Sequence, residues 1–454
     1  MERHSRGALM TQQQRHTAAE NVLDVLSQHA MTPGFPFVLD LEKSRGSWVI
    51  DANTAERYLD LYTFFSTAPL GINPACIVDD PAFMRLLASV AANKPANNDL
   101  STTHLASFVE TFTRVLGDPA LPYLFLIEGG ALAVENALKC AFDWKSRQNE
   151  AAGRSAELGT RVLHLTQAFH GRSGYTLSLT NTNAVKTARF PKFDWPRIEV
   201  PAIRFPEADH SVELFAAEEH AITQAETAFA QYPHDIACFI AEPIQGEGGD
   251  NHMRGEFLRS MQQLCHTHDA LFVLDEVQTG GGITGSAWAY QQLGLEPDIV
   301  AFSKKLQLGG IMAGRRVNEI RDNVFAVSGR IASTWGGGLV DMVRCQRLLE
   351  AIESENVINR AAEVGSWFLP RLETMLAPHA IIASNARGRG LMCAFDLVST
   401  NLRNAVITRL RETERVLMLP SGECSIRFRP ALTVSHEELE LGLSAIDRVL
   451  SAAY

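Results

Sequence analysis

Near the centre of the 454-residue chain, two short apolar runs each lead into a charged side chain. Asp275 follows residues 271–274, and Lys304 follows residues 299–302 after a single serine. A lysine amine can hold an aldehyde as an imine, and a carboxylate beside a pyridine nitrogen keeps that nitrogen protonated, so that the ring withdraws electrons. The pairing of these two groups therefore indicates amine chemistry on a pyridoxal phosphate cofactor.

The two runs are predicted to be buried strands that end at the same place. A glycine-rich turn and a predicted helix around residues 287–293 separate them, which is typical of parallel strands joined by a crossover. Ligands of such sheets bind at the C-terminal strand ends, so Asp275 and Lys304 are predicted to converge. Each residue alone also fits a plainer interpretation, with Lys304 and Lys305 as solvated loop charges and Asp275 as a helix cap.

Two further segments have side chains or backbone suited to a cofactor. Gly130 and Ala131 open a predicted helix after an apolar strand, where free N–H groups and the helix dipole favour a phosphate. A Gly129-Gly130 pair before a helix is, however, more often ordinary turn chemistry. Phe169 has a ring that can stack on a heteroaromatic group, and Arg172 has a planar fork that matches a carboxylate. His170, between them, fits a structural role as well as a functional one.

Composition argues for a globular protein that acts on small molecules. The chain is 46% hydrophobic and has a formal charge of −11, without a basic patch for nucleic acid or an anionic membrane. Seven scattered cysteines show no zinc-site spacing and no metal site is expected, so they are predicted to be free thiols in a reducing, cytoplasmic compartment. No apolar run reaches the roughly 18 residues that a membrane helix needs.

Strands and helices alternate through the middle of the chain, which predicts a mainly parallel α/β domain followed by a smaller α+β domain. The predicted strands are 123–127, 162–165, 236–241, 271–274 and 299–302; the predicted helices are 21–29, 131–144, 255–268, one from 341 through 358, and 361–376. The predicted organisation is an arm and short helix (1–36), the N-terminal part of the small domain (37–75), a large cofactor-binding domain (76–340) and a C-terminal small domain (341–454).

With these segments in view, the chain resembles the class III (omega) aminotransferases over nearly its whole length after residue 37. The resemblance implies an α/β fold of type I, in which both chain ends build the small domain, and a homodimer whose active sites lie at the subunit interface. The cofactor it implies is pyridoxal 5'-phosphate. The motifs that carry the resemblance are, in order, residues 129–139, 169–175, 241–249, 275–280, 303–310, 333–337 and 426–430.

The resemblance also implies a role for each motif residue around the cofactor. Lys304 is expected to form the imine and move the proton, and Asp275 to pair with the pyridinium nitrogen. Gln278 is expected to contact the phenolic oxygen. The remaining cofactor contacts implied are Phe169 stacking on the ring, His170 beside it, Gly130 and Ala131 on the phosphate, and Thr334 reaching the phosphate from the other subunit.

Within the family, the runs 190–196, 312–316 and 387–395 are similar to those of members that act on the ε-amino group of L-lysine. The implied reaction transfers that group to 2-oxoglutarate, giving L-glutamate and 2-aminoadipate 6-semialdehyde, which cyclises to a piperideine carboxylate. Arg172 is expected to hold the α-carboxylate of lysine and Arg427 a carboxylate of glutamate. Glu247 is expected to cover Arg427 while lysine is bound, and Phe65 to contact the substrate.

Several alternatives stay open at this point. Ornithine and 4-aminobutyrate remain credible donors, because one methylene is worth only about 1–3 kcal/mol in a pocket. Ala332 and Gly338 stand where lysine-specific members usually have asparagine, a departure that concerns substrate or cofactor contacts near the subunit interface. A pyridoxal phosphate aminomutase would use the same lysine and aspartate, and a non-catalytic binding protein would need a recognition module that the chain does not display.

Overall fold

The computed structural model describes residues 17–30 and 34–453. Most of the predicted N-terminal arm, and the predicted helix break at Pro33, lie outside these residues. A seven-stranded sheet forms the centre of the molecule; its strands lie in the order β3 (Tyr123–Ile127), β11 (Gly309–Ala313), β10 (Ile299–Phe302), β9 (Leu271–Asp275), β6 (Ile236–Ala241), β4 (Arg161–Leu165) and β5 (Arg197–Ile198). Only β11 in this sheet runs antiparallel to its neighbours, β10 and β3, so the prediction of a mainly parallel sheet is confirmed.

The central strands are buried along their whole length, because helices cover both faces of the sheet. Leu271–Asp275 and Ile299–Phe302 have no exposed residue and pair in parallel, with Ala301 opposite Asp275. This register fixes the geometry of the site. The two strands end side by side, and the loops that follow them begin at the same edge of the sheet.

One of the smaller sheets combines segments from both ends of the chain. Val416–Leu417 pairs with Arg57–Asp60 in a three-stranded sheet, and a four-stranded antiparallel sheet has the order β12-β13-β16-β15. The fold class is therefore confirmed, including a small domain built from both ends. The strands are β1 Trp48–Ile50, β2 Arg57–Asp60, β3 Tyr123–Ile127, β4 Arg161–Leu165, β5 Arg197–Ile198, β6 Ile236–Ala241, β7 Ile244–Gln245, β8 Asn251–His252, β9 Leu271–Asp275, β10 Ile299–Phe302, β11 Gly309–Ala313, β12 Ala383–Arg389, β13 Met392–Leu397, β14 Val416–Leu417, β15 Leu419–Ser421 and β16 Ser425–Phe428.

Two predicted helix ends are wrong: the helix predicted over 131–144 continues to Ala151, and a second helix ends earlier than expected. The helix expected to run through residue 358 ends at Ser354, and the next one begins at Val357, because Asn356 adopts a left-handed conformation that interrupts the helical path. The helices are α1 Val22–His29, α2 Thr63–Ser66, α3 Ala75–Val78, α4 Pro81–Ala91, α5 Thr103–Leu116, α6 Gly130–Ala151, α7 Gly174–Leu179, α8 Ala184–Thr187, α9 Ser211–Gln231, α10 Gly255–Thr267, α11 Ala289–Leu293, α12 Leu339–Ser354, α13 Val357–Leu376, α14 Thr400–Glu412 and α15 His436–Ser451.

The cysteines all carry free thiols; five are buried, while Cys76 and Cys424 are partly exposed. Within residues 17–30 and 34–453, we find no helix with the length and apolar character needed to traverse a lipid bilayer.

Candidate active site

Asp275, the last residue of β9, is held by a buried histidine and by its own backbone turn. His170 Nδ1 lies 2.8 Å from Asp275 Oδ2, and the amide of Val277 donates to Oδ1 at 3.0 Å. Burial disfavours the imidazolium, but the hydrogen bond and charge of Asp275 outweigh it and raise the pKa of His170. The pair thus fixes an anion at the strand end, with His170 as its support.

The two neighbouring lysines have different surroundings. Lys305 is 4% exposed and its Nζ donates to the carbonyl of Gln278 at 2.7 Å. Lys304 lines the cavity beside Asp275, and its Nζ has no hydrogen-bond partner among the described residues. Burial, followed by the charge of Arg427, lowers the pKa of Lys304 to about 8. Lys304 is therefore the amine that is accessible and partly neutral near physiological pH.

Lys304 also has an unusual backbone conformation. Its φ is +47°, in the left-handed region, at the start of a short 3₁₀ turn that follows β10. A non-glycine residue pays about 1–3 kcal/mol for such a conformation, and such residues cluster at functional sites. The turn directs the side chain of Lys304 into the cavity while that of Lys305 enters the core.

Gln278 is oriented by two arginines from the C-terminal part of the chain. Its Oε1 accepts from Arg429 Nε at 2.9 Å and Nη2 at 2.8 Å, and from Arg427 Nη1 at 3.3 Å. Arg429 is fully buried and also pairs with Asp250. Because the carbonyl oxygen of Gln278 is engaged by cations, its amide nitrogen is the atom left to donate into the cavity.

Glu242 is a buried carboxylate that the sequence interpretation did not single out. Its Oε1 accepts from the amide of Phe169 at 2.9 Å, and its Oε2 accepts from the amide of Gly246 at 3.0 Å. Burial raises the pKa of Glu242, the positive charge of His170 opposes the rise, and Asp275 adds to it. The residue thereby anchors the Phe169 loop against the segment that carries Glu247.

The start of helix α6 lies against this loop. A Cβ on Gly130 would come within 2.7 Å of Val277 Cγ1, and one on Gly171, whose φ is +120°, within 2.6 Å of the Ala131 Cβ. Glu135, one turn into α6, accepts from the hydroxyl of Ser173 at 2.7 Å. These close approaches bring the helix start into the wall of the cavity, where its free N–H groups can bind an anion.

A strained segment closes part of the cavity from the N-terminal side. Four consecutive residues, Thr63–Ser66, have positive φ between 42° and 73° and so form a left-handed turn rather than a right-handed helix. Asp60 fixes the turn by accepting from the amides of Tyr62 and Thr63 at 2.9 and 2.8 Å. The turn presents Phe65, 52% exposed, to the cavity; sequence periodicity gives no signal for such a backbone.

The other side of the cavity is cationic and less enclosed. Arg172 is exposed and makes no side-chain hydrogen bond or ion pair with the described residues. Arg427 is 2% exposed, and its Nε is buried with no hydrogen-bond partner in the described part of the chain. Glu247 lies between Arg427, with Oε2 3.8 Å from Nη2, and Lys186, which contacts Oε1. Lys186 is a cavity residue that the sequence interpretation missed.

The cavity has a volume of about 720 Å³, within the range of cofactor and small-molecule sites. Thr334 does not line it; it is exposed on the loop before α12, whose Ser333 carbonyl accepts from Asn98 at 2.6 Å. Its expected contact is with a second subunit and stays a prediction. The predicted residues that the cavity does bring together are Phe65, Gly130, Ala131, Phe169, His170, Arg172, Glu247, Asp275, Gln278, Lys304 and Arg427.

These groups fit pyridoxal 5'-phosphate. An unpartnered amine with a lowered pKa is available for the aldehyde, a fixed carboxylate for the ring nitrogen, an amide donor for the phenolic oxygen and a helix start for the phosphate. Together with a mainly parallel sheet whose strand ends carry the first two groups, this arrangement defines a pyridoxal-phosphate enzyme of fold type I.

Comparison with known proteins identifies the family. The model of the aminotransferase class-III family matches residues 30–450, and the chain belongs to this family. It is 56% identical over 434 residues to the L-lysine-epsilon aminotransferase of Amycolatopsis lactamdurans, covering 96% of each protein. It is 31% identical to the mitochondrial 4-aminobutyrate aminotransferase of Homo sapiens, covering 91% of this chain and 85% of the relative.

A solved structure gives the same result. The lysine aminotransferase from M. tuberculosis in the internal aldimine form superposes with a TM-score of 0.94 at 54% identity, covering 96% of this chain and 100% of the other. The predicted family is thus confirmed. The chain is an aminotransferase, and its cofactor is pyridoxal 5'-phosphate.

Proposed function

We propose that this aminotransferase transfers the ε-amino group of L-lysine to 2-oxoglutarate, giving L-glutamate and 2-aminoadipate 6-semialdehyde. The observation that carries the proposal is the pair of arginines, Arg172 and Arg427, in one cavity with Glu247 beside Arg427. Such a site can present two different carboxylates at two different distances from the reacting carbon. The lysine-specific relatives support the choice of lysine as the donor.

The different lengths of lysine and glutamate explain why two cations are needed. An extended lysine has its ε-nitrogen about 7 Å from the α-carboxylate, given six bonds of ~1.5 Å in a zigzag. We assign that carboxylate to Arg172, so that the distal amine reaches the reacting centre. Glutamate must present its α-amine instead, so its α-carboxylate falls to Arg427 and its γ-carboxylate to Arg172. Guanidinium forks suit both carboxylates.

Glu247 is assigned the role of a mobile counter-ion. A buried guanidinium without a partner would bear a desolvation cost of several kcal/mol, and an internal carboxylate that covers it avoids this cost. Burial lowers the pKa of Arg427, which fits a cation with too little compensation. Glu247 would cover Arg427 while lysine is bound and move aside for glutamate.

Lys304 is the proposed acid–base group. Pyridoxal phosphate supplies an aldehyde for the incoming amine and a ring that withdraws electrons from the adjacent carbon. Lys304, once free, takes a proton from Cε of lysine, because its lowered pKa keeps a share of neutral amine at neutral pH. Asp275, held by His170, would place a negative charge beside the ring nitrogen and keep it protonated, and Phe169 and Phe65 line the cavity.

A homodimer in a reducing, cytoplasmic compartment is part of the proposal. The exposure of Thr334 and of Trp335, which is 43% exposed, supports a subunit interface at this loop, and the free thiols support the compartment. Sedimentation of the purified protein tests the dimer. A Thr334→Ala variant that loses cofactor affinity only in the dimer would support a phosphate contact across the interface.

The reaction itself is tested with a panel of lysine, ornithine, 4-aminobutyrate and β-alanine as amine donors, with 2-oxoglutarate as acceptor. We expect lysine to give the highest kcat/KM and its Cε to become the aldehyde, detected as the cyclised piperideine carboxylate. Preference for ornithine or 4-aminobutyrate would reassign the donor. Turnover without 2-oxoglutarate would instead indicate an aminomutase.

A further inference from the structure

Lys186 is a cation in the cavity wall for which the proposed reaction has no role so far. It belongs to the short helix Ala184–Thr187, which Asn183 caps by accepting from the amide of Val185 at 2.9 Å. The side chain of Lys186 is 26% exposed, and its Nζ lies 5.4 Å from the centre of the Phe169 ring. It reaches the site from a surface segment rather than from a strand end.

Glu247 is shared unequally between Lys186 and Arg427. Its Oε1 is in hydrogen-bond contact with Lys186 Nζ, whereas its Oε2 is 3.8 Å from Arg427 Nη2, beyond the 2.7–3.2 Å expected of a hydrogen bond. Arg427 keeps a contact of 3.3 Å to Gln278, and its Nε is unpartnered. Of the two cations, Lys186 is the one that holds the carboxylate in this structure.

The Glu247 carboxylate can lie beside Arg427 or beside Lys186, and the cost of desolvation differs between these two positions. This difference gives Lys186 a function. A carboxylate that leaves buried Arg427 must keep a partner or return to water, because an isolated charge in a partly closed site is costly. Lys186 is partly hydrated and lies at the cavity rim, so a carboxylate there remains solvated and paired at once. The position beside Lys186 is therefore a resting place for Glu247 while Arg427 is free.

We propose that Lys186 is the positioning residue that receives Glu247 when it leaves Arg427, and that it thereby sets the balance between the lysine and glutamate half-reactions. The proposal rests on the proposed function. Lys186 acts through Glu247 and not on the substrate: with Lys186 present, Arg427 is available for the α-carboxylate of glutamate, and without it Glu247 returns to Arg427 and competes with that carboxylate.

The test compares Lys186→Met, which removes the charge at similar length, with Lys186→Arg, which keeps it. Each half-reaction is followed separately in single turnovers of the holoenzyme, through the change in cofactor absorbance. For Lys186→Met, we expect kcat/KM for glutamate to fall about fivefold through KM, as for loss of roughly 1 kcal/mol of pairing, while lysine changes less than about twofold. Lys186→Arg is expected to keep the wild-type ratio of the kcat/KM values for glutamate and lysine.

A second background shows whether Lys186 acts through Glu247. In Glu247→Ala, the further change Lys186→Met should leave the glutamate half-reaction unaltered, because there is no carboxylate left to position. An equal loss in both backgrounds would place Lys186 on the substrate and overturn the proposal, as would equal losses in both half-reactions or failure of Lys186→Arg to rescue. Since the readout uses glutamate, it remains decisive even if wild-type enzyme fails to use lysine.

Discussion

The two ends of the cavity are built differently. At the cofactor end, Asp275, His170 and Gln278 are buried, and fixed hydrogen bonds to neighbouring side chains or backbone amides set their orientation. At the carboxylate end, Arg172 is exposed and has no partner among residues 17–30 and 34–453, and Glu247 divides its two oxygens between two cations. The first end is held by several hydrogen bonds, whereas at the second Glu247 has two cations within reach.

This difference matches the two demands of the proposed pair of half-reactions. The cofactor needs the same ring environment in both half-reactions, so its contacts come from strand ends and buried side chains that cannot rearrange without unpairing. The substrates differ in length and charge, so their contacts come from long side chains, of which Arg172 and Glu247 remain partly hydrated while Arg427 is buried. Changes at the cofactor end should therefore damage both half-reactions equally, and changes at the carboxylate end should separate them.

The largest effect is expected for Lys304→Ala. Loss of both the imine-forming amine and the proton carrier should reduce turnover in each half-reaction by at least about 10⁴-fold and abolish the imine absorbance. Borohydride reduction of the wild-type holoenzyme, followed by peptide mapping, should label position 304. Label at Lys305, or activity retained in Lys304→Ala, would transfer the role to the neighbouring lysine.

Asp275→Asn should come next. The amide keeps the shape but loses the charge that protonates the ring nitrogen, so we expect a loss on the order of 10²–10⁴-fold in turnover with cofactor still bound. The ratio of the rates of the lysine and glutamate half-reactions should stay at its wild-type value, because Asp275 lies at the cofactor end. A ratio that changes several-fold would mean that Asp275 also influences substrate choice.

Arg172→Gln tests the carboxylate-binding residue that both substrates are proposed to share. Loss of a charged hydrogen-bond pair should raise KM for lysine and for 2-oxoglutarate by about 10–100-fold, with a smaller effect on kcat. Steady-state kinetics with each substrate varied in turn measures this. Amines without a carboxylate serve as the control, because their KM should be unaffected; an equal rise for them would indicate a general distortion of the cavity.

Glu247→Ala should have a smaller and asymmetric effect. Without its mobile counter-ion, Arg427 stays uncovered when lysine is bound, so the lysine half-reaction should lose about tenfold more than the glutamate half-reaction. Single turnovers in the two directions give the ratio, with Glu247→Gln as a variant that keeps the size of the side chain. Equal losses would count against a switching role.

The elements that bear the cofactor residues were predictable from sequence for a physical reason. Apolar runs that end in Asp275 and near Lys304 can be recognised because strands buried on both faces must be continuously hydrophobic. The position of Asn356 was missed, because a single left-handed residue inside a helical pattern leaves the apolar periodicity intact. The left-handed turn at Thr63–Ser66 was not predictable either. Its conformation is fixed by a hydrogen bond to Asp60, and nothing in its composition demands it.

The supporting residues were harder to predict than the motif residues. Glu242 and Arg429 belong to recognised motifs, but their roles depend on partners far apart in sequence, such as Arg429 with Gln278, 151 positions away. Lys186 gave no signal, because a lone lysine in a polar segment is indistinguishable from a solvated charge. Its proximity to Glu247 results from the packing of two loops and emerges only in three dimensions.

The smallest expected effect links the two ends through charge. Burial and the charge of Arg427 lower the pKa of Lys304 to about 8, so the neutral amine predominates only above that pH. Cofactor uptake by apoenzyme should therefore accelerate with rising pH and level off above about 8. Arg427→Gln removes a nearby cation and should move this midpoint upward by about 1 pH unit or less, while Arg427→Lys keeps it in place. A midpoint that stays fixed or falls in Arg427→Gln would show that the carboxylate end does not influence the cofactor amine, and that the two ends are electrostatically independent.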